Sequence, residues 1–147
     1  MTVTAKLYGN AIVQMANKEI DWVTDTMCVS LHTSTYAPNQ DTHDYQNDLT
    51  NEVADDGAVY FTGGTELGNR TLAYATATNI VKFDADDVSW AASTITARYA
   101  VIYGSAGTTT TANPLFCYVD FGQDMVSTGG AFTITWGTAG IATVTVA

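Results

Sequence analysis

The sequence predicts an all-β fold, an antiparallel β-sandwich that is jelly-roll-like and has one or two short helices. Apolar and polar residues alternate in run after run of the second half of the chain, and this is the period of a β-strand with one buried face. Turn-forming residues separate the runs at intervals of about 8 to 15 residues, which favours antiparallel strands over alternating strand and helix units. Because only one segment has a clear helical period, we expect at least about 35% strand and at most about 20% helix.

The first part of the chain contains the most ambiguous segment, residues 7–16. Its apolar residues fit either a short helix or a strand, and Gly9 weakens both interpretations. We favour the short helix. A strand is expected after Asp25, because apolar and more polar residues alternate along residues 27–32.

Residues 41–57 carry the helical period. Tyr45, Leu49 and Val53 recur at four-residue spacing, which predicts one short amphipathic helix over this segment. Aspartate and threonine at its start are good N-terminal caps, and a glycine at its end is a typical C-terminal stop.

The opposite face of that helix would carry Asp44, Asp48 and Glu52, and His43 lies nearby. The cluster raises a metal site as the alternative to a solvent-exposed acidic face. An EF-hand loop needs oxygen ligands at alternate positions around a central glycine, and a zinc site needs convergent histidine or cysteine; neither pattern is present. We therefore interpret these carboxylates as solvent-exposed, and we expect the chain to need no metal and no cofactor.

Short strands are expected from residue 60 onward, for a total of about eight strands. They lie at residues 60–62, 70–74, 79–83, near 88–90, at 94–103, 115–121, 132–136 and 142–146. The runs 94–103 and 115–121 are the longest neighbours, so we place them as a pair at the centre of the sheet. The last two runs are joined by a glycine-containing turn and are predicted to form a C-terminal β-hairpin.

The length and the cysteine content indicate how many domains the chain forms and whether it contains disulfide bonds. A chain of 147 residues fits one domain, which we take as residues 1–147 with a short N-terminal arm. Cys28 and Cys117 both fall in predicted strands, and a single pair in a chain of this length is not a disulfide framework. We expect two free, buried thiols.

The formal net charge of −10 disfavours one class of partner. Nucleic-acid binding needs a basic surface to displace counterions from phosphate, and no basic residues cluster in this sequence. No apolar run approaches the roughly 20 residues of a membrane-spanning helix, and no apolar run follows a basic segment at the start, so we expect no secretory signal. We expect no nucleic acid and no membrane among the partners.

We expect no enzymatic activity. The two histidines, His32 and His43, belong to no recognisable nucleophile motif. A catalytic dyad of Cys28 and His32 remains an alternative, because both residues lie on one face of a predicted strand. Their spacing argues against it, since residues four apart on a strand are about 13 Å apart. A glycosidase carboxylate pair is defined by its separation in space, so the sequence assigns none.

Several short segments stand out along the chain. They are Ile20-Asp21-Trp22, Asp25-Thr26, Leu31-His32-Thr33-Ser34, Tyr36-Ala37-Pro38, Gly63-Gly64-Thr65-Glu66-Leu67, Phe83-Asp84-Ala85-Asp86-Asp87-Val88-Ser89-Trp90, Ala97-Arg98-Tyr99-Ala100-Val101, Val119-Asp120-Phe121-Gly122 and Phe132-Thr133-Ile134-Thr135-Trp136. Their succession, from about Leu7 to the end, resembles a family of small structural proteins encoded near the head genes of tailed phages. Such proteins are similar to capsid decoration, or cement, proteins, which sit on the outside of the shell, often as trimers at three-fold positions.

The resemblance implies that this chain is a bacteriophage capsid decoration protein. It would then be a structural protein of the virion, located on the outer surface of the capsid, where a homotrimer binds the major capsid protein of the same virus and stabilises the shell. A tail or neck component and a receptor-binding (glycan-binding) virion module are the alternatives. Aromatic side chains grouped on an exposed sheet face would favour sugar binding, whereas we expect Trp22, Trp90 and Trp136 to lie in the core.

Segments without internal periodicity are the expected contact regions, because a loop too polar to pack on its own core can be ordered by a neighbouring subunit. They are residues 35–41, residues 104–114 and the N-terminal residues 2–6, which we expect to be unpaired and suited to join a shell subunit as an edge strand. The predicted shell contacts are Thr2, Val3, Thr4, Ala5, Lys6, Tyr36, Pro38, Thr109 and Asn113.

Overall fold

The computed structural model describes residues 2–105 and 109–146. It is 43% strand and 8% helical, so the all-β class and both limits on composition are confirmed. The elements are β1 (Thr4–Leu7), α1 (Ala11–Ala16), β2 (Met27–His32), β3 (Thr65–Glu66), β4 (Thr71–Ala75), β5 (Ile80–Asp84), β6 (Val88–Ser93), β7 (Thr96–Gly104), β8 (Leu115–Val126), β9 (Gly130–Ile134) and β10 (Ala142–Thr145), with 3₁₀ turns at Gln46–Asp48 and Thr110–Ala112.

Three antiparallel sheets form two layers. The five-stranded sheet β1-β8-β7-β2-β3 is one layer, and the sheets β10-β5-β4 and β6-β9 face it. The main apolar core lies between the layers. There the ring of Phe83 on β5 meets Phe116 on β8 with 5.1 Å between centroids, and Phe132 on β9 meets Phe121 on β8 at 6.1 Å. The predicted antiparallel β-sandwich is therefore confirmed.

The predicted central pair of strands is also confirmed. β7 and β8 are antiparallel neighbours, with Ala100 opposite Val119 in the main core. Val101 and Tyr103 point to the opposite face, where they join a second apolar cluster with Tyr36. Because both faces of β7 are buried, its second half reads as a continuous apolar run rather than an alternating one.

The ambiguous segment near the N-terminus divides between two elements. The favoured helix is confirmed for Ala11–Ala16, and Leu7 instead ends β1. The strand predicted after it is confirmed as Met27–His32.

The N-terminal residues are not an unpaired arm, and that prediction is wrong. β1 pairs with β8, with Thr4 opposite Asp120. Just before β1, the backbone of Thr2 lies over Gly122, whose φ is +83° and whose added Cβ would lie 2.6 Å from the Thr2 carbonyl oxygen. The glycine therefore allows the first residues to pack against β8. The pairing was missed because four residues are too few to show a period.

The helix predicted over residues 41–57 is wrong, since only Gln46–Asp48 form a single 3₁₀ turn. The carboxylate of Asp48 accepts hydrogen bonds from the backbone N–H groups of Asp44 and Tyr45, at 2.9 and 3.3 Å. Carboxylates that bind nearby backbone N–H groups favour turns over a helix. Asp48 therefore forms a turn and does not belong to an acidic helix face.

The predicted C-terminal hairpin is wrong as well. β9 pairs with β6, with Ile134 opposite Val88, whereas β10 pairs with β5. The connection between them leads to β5, where the N–H of Ile141 donates to the carbonyl oxygen of Phe83 at 2.8 Å. Residues 60–62, predicted as a strand, have no strand structure.

The residues expected in the core are buried with two exceptions. Trp22, Trp90 and Cys117 are buried, and burial raises the pKa of the Cys117 thiol. Cys28 is half-buried, and so is Trp136. Both cysteines are free.

Candidate interaction surface

The structure places the predicted contact segment 35–41 against residues 7–9, directly after the predicted segment 2–6. The side-chain amide of Gln40 donates to the carbonyl oxygen of Leu7 at 2.8 Å, and the N–H of Gly9 donates to the carbonyl oxygen of Gln40 at 2.8 Å. These bonds hold the segment that contains Pro38, which is half-buried, beside the end of β1. Thr109 is exposed in the third segment, of which residues 106–108 lie outside the described residues.

Two of the predicted contact residues are buried inside their own chain. Tyr36 is 1% exposed, and its hydroxyl bonds the hydroxyl of Tyr8 at 2.9 Å and Nδ1 of His43 at 3.0 Å. Asn113 is 6% exposed, and its side-chain amide donates to Oε1 of Gln46 at 2.7 Å. Their prediction as shell contacts is therefore wrong, because neither side chain reaches the surface.

The N-terminal contact residues lie on an edge strand or just before it. Among the described residues β1 has a single strand neighbour, β8, and Thr2, Val3, Thr4, Ala5 and Lys6 are all exposed. An edge strand presents unpaired backbone groups that can pair with another chain. Charged Lys6 at this edge limits indiscriminate pairing, since lysine is a common protecting residue there.

An apolar groove of about 400 Å³ opens beside this edge. β1 and β8 line one part of it, and β9 with the turn after it lines the rest. It forms because β9 pairs only with β6 and β10 only with β5, which leaves the two smaller sheets unjoined. Phe121 and Phe132 lie at its base, whereas Val3 and Val126 are 55% and 65% exposed. Trp136 forms part of the wall.

The groove offers apolar contact and no acid or base. None of the described residues that line it has a titratable side chain. Such a surface suits burial of apolar side chains from a partner rather than proton transfer or the binding of a charged ligand. The sequence pattern located most of β9 and the first part of β8, but the predicted strand ended at residue 121 and left out Met125 and Val126, which line the groove. The groove was missed because it depends on which strands fail to pair, and no local pattern shows that.

The dyad of Cys28 and His32 does not form. Nδ1 of His32 lies 2.8 Å from the carbonyl oxygen of Thr50, so it carries the proton, and Nε2 accepts from the hydroxyl of Ser30 at 2.9 Å. Burial lowers the pKa of His32. His32 therefore joins the loop over residues 33–50 to the sheet as a neutral side chain.

The acidic residues form no metal cluster in the part of the chain that the structure describes, where no three His, Cys, Asp or Glu side chains converge. Within the same residues, no helix has the length and apolar character needed to cross a membrane.

Glu52, expected on a solvent-exposed helix face, is instead a half-buried anchor for the segment that leads to β3. Its Oε1 accepts hydrogen bonds from the hydroxyl of Tyr60 at 2.8 Å and from the N–H of Gly63 at 2.6 Å. The Tyr60 hydroxyl in turn accepts from the N–H of Leu31 on β2 at 2.9 Å. Burial raises the pKa of Glu52, because loss of hydration disfavours the charged carboxylate.

We expect Glu52→Gln to become more stabilising, relative to the native chain, as pH rises from about 4 to about 7. The folded-state pKa of Glu52 is raised, so its contribution to the free energy of unfolding is full below the unfolded pKa and is lost as pH rises through the folded pKa. Glutamine keeps the Oε1 acceptor and has no charge to bury. Urea unfolding at several pH values measures the difference, with exposed Glu66→Gln as the control. If the free energies of unfolding of the two variants changed equally with pH, burial of Glu52 would not be the cause.

Comparisons of the chain with protein-family models, with curated proteins and with solved structures found no match. The class that fold and surface define is an all-β protein with an apolar groove beside a free strand edge.

Proposed function

We propose that this chain is a capsid decoration protein of a tailed phage, which binds the outer surface of the head shell and stabilises it. In this proposal the partner is the major capsid protein of the same virus, and the chain acts as a homo-oligomer, a trimer, without catalytic activity. The sequence resemblance supports the phage assignment. The observation that carries the proposal is the water-facing apolar groove beside the free edge of β1.

The chemistry of this surface fits a protein partner. Val3 and Val126 expose more than half of their side-chain surface at the groove, and apolar surface of this kind is buried when a partner docks. The free edge of β1 adds backbone donors and acceptors that an extended segment of the shell subunit can pair with. The net charge of −10 favours a neutral or basic docking segment.

Glycan binding has weaker support from the same structure. Sugar-binding faces stack aromatic rings on pyranose rings, but Trp22 and Trp90 are buried in the core. Trp136 is half-buried, and its indole N–H donates to the carbonyl oxygen of Asp86 at 2.9 Å.

Charge placed at the groove should weaken attachment to shells. Val3→Lys and Val126→Lys replace exposed residues, so the fold is kept while an apolar contact is exchanged for a charge that must be desolvated. We expect each to weaken binding at least about tenfold, roughly 1.4 kcal/mol. Co-sedimentation with shells that lack the protein, from the virus that encodes it, measures the effect.

The matched control is Val13→Lys, since Val13 is 53% exposed on α1, away from the groove. It should bind as the native chain does. Native-like binding by both groove variants would remove the groove from the interface. Failure of the native chain to bind any shell would contradict the proposed function and favour a tail component or a glycan-binding module.

A further inference from the structure

Strand β4 is a second free edge, and its composition is unusual for one. Among the residues that the structure describes it has a single strand neighbour, β5, and all five of its own residues are exposed. Leu72 and Tyr74 share one face and are 47% and 51% exposed. The strand contains no charge, no proline and no bulge, which are the features that normally protect an edge from pairing with another chain.

We propose that β4 pairs antiparallel with β4 of a second copy of this chain, across a two-fold axis that passes beside Ala73. A two-fold contact places the same strand on both sides, so the strand must be complementary to itself. With Ala73 opposite Ala73 of the second copy, Leu72 faces Tyr74 of the second copy, and Tyr74 faces Leu72. Cross-strand pairs of an aromatic and an aliphatic side chain stabilise antiparallel sheets.

Charge supports a second copy as the occupant of this edge. Each chain carries a net charge of −10, so two copies repel one another overall. From Thr71 to Asn79 the sequence has no charged residue. Arg70, directly before the strand, is turned away, since its guanidinium bonds the carbonyl oxygens of Trp22, Leu67 and Asp25 in its own chain. Two copies therefore meet at β4 without like charges in contact.

The pairing makes one six-stranded sheet from the two three-stranded sheets. It is independent of the shell-binding role, and it is compatible with a trimer, because a two-fold contact uses a different surface from a three-fold one. On a shell, contacts at β4 would link neighbouring trimers. In solution they give an even-numbered oligomer, a dimer or, with three-fold contacts, a hexamer.

Ala73→Glu is the decisive variant. In the folded chain Ala73 lies opposite Lys82, so the new carboxylate gains a favourable cross-strand neighbour and the fold is kept. Across the two-fold axis the two carboxylates face each other and repel. The matched control is Thr143→Glu, because exposed Thr143 on β10 also lies opposite Lys82 but away from the proposed axis.

Sedimentation equilibrium up to about 1 mM protein tests the pairing, since a five-residue strand is a small contact. We expect an even-numbered oligomer for the native chain and for Thr143→Glu, and half that mass for Ala73→Glu. Oxidation should also cross-link Ala73→Cys well above the level seen for Thr143→Cys. A native chain that stays monomeric or only trimeric, or an Ala73→Glu variant with the native mass, overturns the proposal. Neither outcome bears on shell binding.

Discussion

Replacing Trp22 with alanine should lower the free energy of unfolding by about 3–5 kcal/mol. Trp22 is 2% exposed and packs against Phe116 of one layer and Phe83 of the other, with centroid distances of 4.6 and 5.5 Å. Its indole N–H donates to the carbonyl oxygen of Thr71 at 3.0 Å, which ties the loop before β2 to β4. Alanine leaves a cavity at the junction of the layers and removes the hydrogen bond to the Thr71 carbonyl oxygen.

The control for this effect is Trp22→Phe. Phenylalanine keeps an aromatic ring between the layers and loses only part of the volume and the hydrogen bond, so its cost should be clearly smaller. Urea unfolding followed by circular dichroism measures both variants. A loss below about 1 kcal/mol for Trp22→Ala would mean that this residue does not join the two layers.

Gly64→Ala should have a comparable effect and lower the free energy of unfolding by more than about 3 kcal/mol. The φ of Gly64 is +76°, and a Cβ there would lie 1.8 Å from the carbonyl oxygen of Val29. That oxygen belongs to the backbone of β2, which cannot move aside without disturbing its pairing with β3 and β7. The variant therefore prevents the close contact between the backbones of Gly64 and Val29 that positions the start of β3.

Gly57→Ala separates the clash from the backbone strain. The φ of Gly57 is +68°, similar to that of Gly64, but nothing lies within 4 Å of its added Cβ. We expect it to cost only the strain of a left-handed residue, about 1 kcal/mol. Equal losses for the two alanine variants in denaturant unfolding would show that Val29 does not crowd Gly64.

Much of the fold could be predicted from local pattern because the strand period is local. β2 and β7 lie where alternation placed them, β8 begins where it was predicted but continues past residue 121 to Val126, and the β7–β8 pair follows from their adjacency in the chain. Pairing between distant strands could not be predicted this way. β9 and β10 are adjacent in sequence, yet they bind β6 and β5, since pairing depends on the core that the layers share.

The false helix has a different cause. Asp48 stands at a helical spacing from Asp44, but its side chain binds backbone N–H groups of the same segment, and a count of apolar positions does not show that competition. The candidate interaction surface shows the same limit. Exposure of Val3 agrees with its prediction as a contact residue, whereas Tyr36 is buried. Tyr36 bonds Tyr8, which is distant in sequence, and His43, which lies in the segment wrongly predicted as a helix.

A cryo-electron microscopy reconstruction of heads from the virus that encodes this chain tests the central claim most directly. We predict density for this β-sandwich on the outer surface of the shell, with β1 and the apolar groove against the major capsid protein. Heads purified without the protein should lack that density and regain it when the protein is added. Density for the chain only in the tail or neck would contradict this assignment. So would the absence of such density from heads in a preparation that contains the protein.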